Sequence, residues 1–545
     1  MRTTTWAGPG AGSGRSWNSH GALSRVIIAA RTVSSFARTD QEATIKSPHA
    51  SPAPRLNAAG AVIRSPPVRV VPVACGPDEI PSEMLRGRTG NGTNGVTGRV
   101  GRFCGDFMLV GIALAGGRGV RARPLTLEGP GHIRSKAAVS FLGRPLIEWL
   151  VLTFRAQGIT SFHMAANGRE NRYQVKEAVG YGERFGVSVR YSRPRSDRLN
   201  TGSGQATLAI LDEHDLRGHA VVFPTDSLFE LDLEALAREH VASGAVVTVG
   251  TVYRTAEQVA GTYGTLVADE SGRIERFVEK PGIETVASMF ADLSRVPINA
   301  GLYVIDCARL RGLGATAELA ELARHGLDWG GDLLPWLVAH GHLVRCAPIA
   351  KAGDLGNPRD YLLTMAEAMA GGHPSLELPR APVIHPSTLA RRDEVSGLTL
   401  AEKLAGGLVH IGPGAWIGRD VEIGPGVVLR DSYVGDEADL HSWCRLERVA
   451  CLDGTIIGPG ARLSDTHVGL MGQVESSLRR PTVIDGFSAL GHEARVMEGA
   501  RLSGVIALPG EIVEAGLLQR PASPTSSTSP TSSTSPTSSG SSSRS

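Results

Sequence analysis

The stretch that decides the fold is MLVGIALAGGRGVRARPLT, residues 108–126. Its first seven residues, Met108 to Leu114, are apolar or small, which predicts a buried β-strand. Three glycines follow almost at once, at Gly116, Gly117 and Gly119. Because glycine has no side chain, backbone N–H groups in such a loop can approach phosphate oxygens. The stretch therefore predicts a strand that runs directly into a phosphate-binding loop.

This loop is not one of the two commonest phosphate-binding motifs. It lacks the final Gly-Lys-Ser/Thr of the Walker loop, and it does not have the three-glycine spacing of dinucleotide-binding folds. Taken alone, it is equally compatible with an ordinary strand-to-helix turn that carries solvated arginines. Arg118, Arg121 and the later Lys136 would place positive charge around a phosphate group.

Downstream of the loop, short apolar runs alternate with helical periods. The pattern predicts strands at 220–223, 245–252 and 299–305, and helices at 145–156 and 233–242. Such alternation is typical of βαβ units. We therefore expect one α/β domain over 108–370, with a Rossmann-like mixed, mostly parallel sheet.

A different pattern follows a segment rich in Pro and Gly at 371–407, which we expect to be a linker. Ile411-Gly412, Ile417-Gly418 and Ile423-Gly424 recur every six residues, and Val434-Gly435 and Ile457-Gly458 resume the pattern in a new phase. A six-residue repeat of an aliphatic residue and glycine predicts a hexapeptide-repeat, left-handed parallel β-helix over 408–519. An antiparallel β-domain would instead alternate with a period of two.

Both ends of the chain have compositions that disfavour folding. Residues 1–107 lack sustained periodicity, and residues 520–545 are a Ser/Thr/Pro repeat, so we expect both to be disordered. Early arginines allow an organelle-targeting segment at the N-terminus. We favour a second interpretation, a misassigned start, because Met108 directly precedes the first clear strand.

Composition excludes several classes of protein. The net charge of +2 gives no reason to expect binding to nucleic acid or to an acidic membrane surface. No apolar run is long enough for a membrane span. The six cysteines do not have zinc-site spacing, so we expect free thiols in a cytoplasmic protein.

The motif Leu114–Thr126 resembles the signature of the nucleotide-sugar pyrophosphorylases, a family that includes mannose-1-phosphate guanylyltransferases and glucose-1-phosphate nucleotidyltransferases. Further segments are similar to that family in the same order: TGSGQA at 201–206, VVFPTDSLF ending near Asp226, TYG at 262–264, FVEKP at 277–281, NAGLYV at 299–304 and GDLGNPRDYL with Asp354. The resemblance covers about residues 108–369. Each segment alone has an ordinary structural explanation, but six in order favour catalysis.

The resemblance assigns a role to particular residues. It implies nucleotide binding by Leu114, Ala115, Gly116, Gly117, Arg118, Gly119, Gly202, Gly204 and Gln205. It implies sugar-phosphate binding by Gly264, Glu279, Lys280 and Asn299, catalysis by Arg121, Lys136, Asp226 and Lys280, and metal binding by Asp226 and Asp354. The sequence departs from the family at Val120, Ser135 and Ala137, and no Trp precedes Asp354.

The implied reaction joins a nucleoside triphosphate to a sugar 1-phosphate and releases pyrophosphate, with Mg²⁺ as cofactor. Mannose 1-phosphate with GTP is the first choice of substrates and glucose 1-phosphate the second. Two alternatives remain open: a non-catalytic regulatory subunit that binds sugar nucleotides, and an added acyltransferase activity involving His441, His467 or His492. We also expect a homo-oligomer that assembles through the β-helix.

Overall fold

The computed structural model describes residues 71–72, 109–117, 119–129, 132–193, 202–379, 382–393, 396–514 and 517–519. Arg118, Met108 and the two predicted disordered tails, apart from residues 71–72, lie outside these ranges. In the described part, residues 109–370 form an α/β domain, and the residues C-terminal to it contribute mainly short parallel strands.

The first domain is built on a nine-stranded mixed sheet. Its strands are β1 Leu109–Leu114, β2 Ser161–Ala165, β3 Ser188–Tyr191, β4 His219–Pro224, β5 Val247–Arg254, β6 Thr265–Ala268, β7 Ile274–Val278, β8 Val296–Asp306 and β9 Val344–Pro348. The main path runs in the order β7-β6-β8-β4-β1-β2-β3, while β5 pairs with β8 and β9 pairs with β5. Strands β7 and β8 run against the common direction of the others, so the expected mixed, mostly parallel sheet is confirmed.

The central strands read as continuous apolar runs because both faces of the sheet are covered. Residues 220–223 of β4 are buried without alternation, and their side chains divide between two hydrophobic clusters on opposite sides of the sheet. Helix α1 is buried around most of its surface in one of these clusters. The described helices are α1 Leu146–Ala156, α2 Arg169–Val179, α3 Ser203–Glu213, α4 Leu233–Ser243, α5 Ala256–Val259, α6 Ile283–Met289, α7 Cys307–Gly314, α8 Ala317–Arg324, α9 Leu334–Ala339, α10 Pro358–Met369, α11 Pro386–Ala390 and α12 Leu400–Ala405.

Local sequence explains where several of these helices begin and end. Asp232 caps α4 by accepting the Ala235 N–H at 2.9 Å, and Gly244 ends the helix in the left-handed conformation. Asn357 caps α10 with its side-chain oxygen, and Pro358 occupies the first helical position. A short π-helical turn, Trp329–Leu333, precedes α9.

Three short antiparallel ribbons lie outside the main sheet. They pair Leu127–Gly129 with His132–Ile133, Ser140–Phe141 with Arg144–Pro145, and Ser227–Glu230 with Lys351–Asp354. We call the third the aspartate ribbon, since it begins directly after Asp226 and ends at Asp354.

Among the described residues, the C-terminal strands and Val71–Pro72 form two parallel sheets of thirteen and six strands. The larger contains Val71–Pro72, Val383–Ile384, His410–Ile411, Trp416–Ile417, Val428–Arg430, Tyr433–Val434, Arg445–Cys451, Arg462–Val468, Val483–Asp485, Ser488–Leu490, Arg501–Ser503, Ile506–Ala507 and Leu517–Gln519. The smaller contains Glu422–Ile423, Asp439–Leu440, Ile456–Ile457, Gln473–Val474, Arg495–Val496 and Ile512–Val513. This arrangement is compatible with a β-helix.

The registers explain the change of phase seen in the sequence. Ile417 pairs with Val434, and Ile423 pairs with Leu440. Each residue of the repeat therefore lies beside an aliphatic residue of the next turn of chain. It does not lie beside the residue six positions further along. Four of the repeating aliphatic side chains are buried in one hydrophobic cluster, and Ile411, partly buried, packs against it. The glycines have a function that we did not predict. A Cβ on Gly424 would lie 2.6 Å from the Ser442 nitrogen, so glycine makes room for the adjacent backbone.

The predicted linker at 371–407 is itself structured. It contains strand Val383–Ile384 and helices α11 and α12, and Ile384 and Leu400 belong to the hydrophobic core of the C-terminal strands. Lys403 and Asp393 form an ion pair of 2.8 Å with both side chains almost fully buried. The structural unit of the C-terminal strands therefore begins before residue 408, because these apolar and paired side chains need its core.

Candidate functional site

The aspartate ribbon brings the two predicted metal-binding residues side by side. Strand β4 ends at Pro224, and Asp226 follows two residues later. In the ribbon, Ser227 lies opposite Asp354, and the Leu355 N–H donates to the Asp226 carbonyl at 2.9 Å. Two carboxylates that are distant in sequence thus lie next to each other beyond the C-terminal end of a central strand.

Polar contacts hold each carboxylate. Lys136 Nζ donates to Asp226 Oδ2 at 2.5 Å. Asp354 Oδ1 accepts the Gly356 N–H at 2.7 Å, and its Oδ2 accepts the Tyr263 hydroxyl at 3.2 Å. Burial, and then the negative charge of Asp226, raise the pKa of Asp354. The site therefore holds more negative charge than one lysine neutralises, which favours a cation.

The chemistry of this pair fits a magnesium ion that is shared with substrate. Mg²⁺ binds proteins through one or two carboxylates and takes its remaining ligands from phosphates and water. In the part of the chain described, no three His, Cys, Asp or Glu side chains converge as a metal cluster. Asp226 and Asp354, as neighbouring carboxylates at this edge, could hold such an ion.

The glycine-rich loop leaves the sheet at the same edge. Leu114, the last residue of β1, pairs with Pro224 of β4, and the Thr225 hydroxyl donates to the Leu114 carbonyl at 3.3 Å. Gly117 and Gly119 have φ of 95° and 59°, in the region that favours glycine. A Cβ on Gly119 would lie 2.8 Å from Thr126 Cγ2, so this position also lacks space for a side chain.

A cleft of about 400 Å³ lies beside the aspartate ribbon. The structure brings seven predicted site residues together on its wall: Arg121, Asp226, Gly264, Glu279, Lys280, Asn299 and Asp354. Lys136 reaches the site through its contact with Asp226. None of the described residues predicted to bind the nucleotide is on this wall: Leu114, Ala115, Gly116, Gly117, Gly119, Gly202, Gly204 and Gln205. Arg118 lies outside the described residues.

Gly202 and Gly204 have a packing function in the structure. A Cβ on either glycine would lie within 3 Å of the Leu327 carbonyl oxygen, and the Gln205 N–H donates to that oxygen at 2.9 Å. Glycine therefore lets the start of α3 lie directly against the backbone at Leu327. Contact of these residues with a nucleotide stays a prediction.

The Glu279 carboxylate, also on the wall of the cleft, lies between two glycines. A Cβ on Gly264 would be 2.5 Å from Glu279 Oε2, and a Cβ on Gly330 would be 2.4 Å from the same atom. Lys280 Nζ is 3.5 Å from Glu279 Oε1, and Lys280 has a φ of 45°, which is unusual for a residue with a side chain. The backbone thus positions an acidic and a basic side chain at one wall.

One wall of the cleft, formed by Asp328 and Trp329, was not predicted from the sequence. Trp329 stacks on Tyr303, with ring centroids 4.3 Å apart. The Trp329 N–H donates to the Ser203 hydroxyl at 3.0 Å, and the Ser203 N–H donates to Asp328 Oδ1 at 2.9 Å. The sequence DWGGD, with two glycines after a tryptophan, was the available signal.

Comparison with known proteins agrees with this geometry. The family model described as nucleotidyl transferase matches residues 110–370, so the α/β domain is a nucleotidyltransferase domain. The chain is 26% identical over 413 residues to a mannose-1-phosphate guanyltransferase of Gibberella zeae, covering 75% of this chain and 98% of that protein. It is 26% identical over 375 residues to a UTP–glucose-1-phosphate uridylyltransferase of Synechocystis, covering 66% and 86%.

A third relative is a glucose-1-phosphate adenylyltransferase of Jannaschia, 30% identical over 246 residues, or 42% of this chain and 55% of that protein. The resemblance found in the motifs is confirmed, because residues 110–370 match the nucleotidyl transferase model and the relatives are sugar-1-phosphate nucleotidyltransferases. It is an enzyme of this class. Among the described residues, no helix combines the length and apolarity needed to cross a bilayer.

Proposed function

We propose that this enzyme uses Mg²⁺ to transfer a nucleotidyl group from a nucleoside triphosphate to a sugar 1-phosphate. The observation that carries the proposal is the pairing of Asp226 with Asp354 at the edge where the glycine-rich loop leaves the sheet. A phosphate oxygen of the sugar phosphate attacks the α-phosphorus, and the bond to the β-phosphate breaks, releasing pyrophosphate. Both substrates are anions, so positioning and charge neutralisation are the main tasks.

Each side chain has one part in this scheme. Asp226 and Asp354 would hold the metal ion, which would supply charge neutralisation when bound. Lys136 and Arg121 stabilise the leaving pyrophosphate. Lys280 holds the attacking phosphate, and Glu279 accepts hydrogen bonds from sugar hydroxyls. A protein nucleophile or general base is not required, because the sugar phosphate is already ionised.

For the substrates, we propose mannose 1-phosphate with GTP first and glucose 1-phosphate second. Support comes from the relatives' names: the chain spans 98% of mannose-1-phosphate guanyltransferases from Gibberella zeae and Hypocrea jecorina. Glucose-1-phosphate enzymes that use other nucleotides match as well. Asn299, whose amide donates to the Tyr303 hydroxyl at 2.9 Å, is held rigidly on the proposed sugar-binding wall.

We propose that the C-terminal strands form a left-handed β-helix, that this part assembles the protein into homo-oligomers, and that the enzyme works in the cytoplasm. The stacked parallel registers and the buried aliphatic column support the first point. Of the histidines considered for acyl transfer, His467 and His492 are buried, and His441 Nε2 lies 3.1 Å from Asp439 Oδ2.

A pyrophosphate-release screen tests the proposed function. The purified full-length chain is given each nucleoside triphosphate against mannose 1-phosphate, glucose 1-phosphate and other sugar phosphates, with and without Mg²⁺. We expect rapid, Mg²⁺-dependent release with GTP and mannose 1-phosphate. Sugar-nucleotide binding without pyrophosphate release from any pair would support the regulatory alternative and overturn the proposal.

A further inference from the structure

Helix α2, Arg169–Val179, lies beside two segments near the candidate site. One is the glycine-rich loop, and the other is the short segment that carries Lys136. The helix contributes no residue to the wall of the cleft. Its polar side chains nevertheless make hydrogen bonds to the backbone of both segments.

Gln174 makes two hydrogen bonds to the backbone just before Lys136. Its Oε1 accepts the Ser135 N–H at 2.6 Å, and its Nε2 donates to the Ile133 carbonyl at 2.9 Å. Ser135 is 2% exposed, so its N–H has little access to water if Gln174 is removed. One amide side chain therefore holds the backbone on both sides of Arg134.

The held backbone leads directly to the reacting site. Lys136 begins a 3₁₀ turn, Lys136–Ala138, and its Nζ contacts Asp226 at 2.5 Å. The Lys136 side chain is mostly buried, with 17% of its surface exposed, so it has little room to compensate if the backbone at Ser135 moves. A displacement of about 1 Å at a catalytic group can lower the rate roughly a hundredfold.

Asn171 lies one turn before Gln174 on the same face of the helix. Its Nδ2 donates to the Asn167 carbonyl at 2.6 Å and to the Gly117 carbonyl at 3.4 Å. Asn171 is 9% exposed. The same helix face thus contacts the glycine-rich loop through Asn171 and the Lys136 segment through Gln174.

We infer that Gln174 is a positioning residue for Lys136, and that this face of α2 sets the distance between the glycine-rich loop and the lysine. The inference rests on the proposed role of Lys136 in stabilising the leaving pyrophosphate. Gln174 itself touches no substrate. Its loss therefore lowers the rate of the chemical step more than it weakens binding of the sugar phosphate.

The test uses the full-length chain with GTP and mannose 1-phosphate, or the pair that releases pyrophosphate fastest. Gln174→Met keeps the length of the side chain and removes both hydrogen bonds. The matched control is Gln157→Met, since Gln157 Oε1 also accepts a backbone N–H, that of Leu233 at 2.9 Å, away from the cleft. We expect Q174M to lower kcat by about 10- to 100-fold, with KM for the sugar phosphate within about twofold and Q157M near wild type.

A double-variant cycle with Lys136→Ala, measured in single turnover, separates positioning from general damage. If Gln174 acts through Lys136, adding Q174M to K136A lowers the rate by less than about twofold. An equal loss in both backgrounds, or Q174M indistinguishable from Q157M, would overturn the inference. If K136A alone retains wild-type turnover, the role given to Lys136 in the proposed function fails as well.

Discussion

Replacement of Gly330 by alanine tests the proposed sugar-binding wall. A Cβ at this position would lie 2.4 Å from Glu279 Oε2, whereas non-bonded heavy atoms need about 3.5 Å. The carboxylate must therefore move by about 1 Å, and Glu279 cannot escape toward Gly264, where space is equally limited. Because the obstructing atom ends a flexible side chain, the carboxylate moves and the backbone does not.

The size of the effect follows from what Glu279 is proposed to do. A hydrogen bond to a charged group contributes about 1.5–3 kcal/mol. Its loss corresponds to a fall of roughly 10- to 150-fold in kcat/KM for the sugar 1-phosphate at 1.4 kcal/mol per factor of ten. KM for the nucleotide should change little, since Glu279 is proposed to contact the sugar and not the nucleotide.

The matched control is the neighbouring Gly331→Ala, where the new Cβ would lie 3.9 Å from Asp328 Cβ, an ordinary contact. Steady-state kinetics with varied sugar 1-phosphate compare both variants, and thermal melting checks that both fold. We expect G331A to have kinetics near those of the wild type. We expect G330A to have a lower kcat/KM for the sugar 1-phosphate and an unchanged KM for the nucleotide. Equal kinetics for the two variants would refute the assignment of Glu279 to the sugar.

Three other predictions concern charge and protonation. Asp226→Asn and Lys136→Ala should each lower turnover at least about a hundredfold, because each removes one charge from a site organised around charge. Both variants should keep the melting temperature of the wild type. Turnover within a few-fold of wild type in both would contradict these roles. Asp354 has a raised pKa, so its ionisation lowers the stability of the wild type as pH rises. Without Mg²⁺, the melting temperature of Asp354→Asn minus that of the wild type should therefore increase from pH 4 to pH 8. A difference that does not change with pH would contradict this prediction. Burial lowers the pKa of His467 to about 3 and of His492 to about 4. The free energy of unfolding should therefore fall by up to about 1.4 kcal/mol per pH unit for each histidine as pH drops from about 6.5. His467→Leu should make this pH dependence less steep, and an unchanged slope would contradict the prediction.

Much of the active-site geometry could be predicted from the sequence because it follows from strand ends. The end of β1 leads into the glycine-rich loop, and the end of β4 leads to Asp226, so two motifs meet once the strands pair in parallel. The sequence alone does not indicate the antiparallel aspartate ribbon. The prediction that Asp226 and Asp354 act at one site therefore depended on the motif order of a known family.

Long-range side-chain contacts were not predictable in the same way. The hydrogen bonds between Ser203 and Asp328, and between Gln174 and the Lys136 segment, join residues far apart in the chain and follow no local period. The predicted linker failed for a related reason. Its prolines and glycines suggested an open segment, yet a capping box at Thr399 starts α12, and the apolar Leu400 packs into the next domain.

The glycines of the six-residue repeat were recognised as a pattern in the sequence, but the reason for glycine at these positions appears only in the structure. Their period predicted a parallel β-helix, but the pattern alone did not say why each position is glycine. In the structure, Gly418, Gly424 and Gly458 are required because the backbone of the next turn passes within 3 Å of where a Cβ would be. Alanine at these positions should therefore disrupt stacking of the strands even though their φ values are ordinary.

The most direct test of the proposed metal site at Asp226 and Asp354 is Mn²⁺ binding. It is measured by electron paramagnetic resonance in the presence of a nucleoside triphosphate that the enzyme accepts. For wild type, we predict one tightly bound Mn²⁺ per chain that requires the nucleotide. Asp226→Asn and Asp354→Asn should each weaken it at least about tenfold, because two carboxylates share the ion. Unchanged Mn²⁺ affinity in both variants would contradict the account.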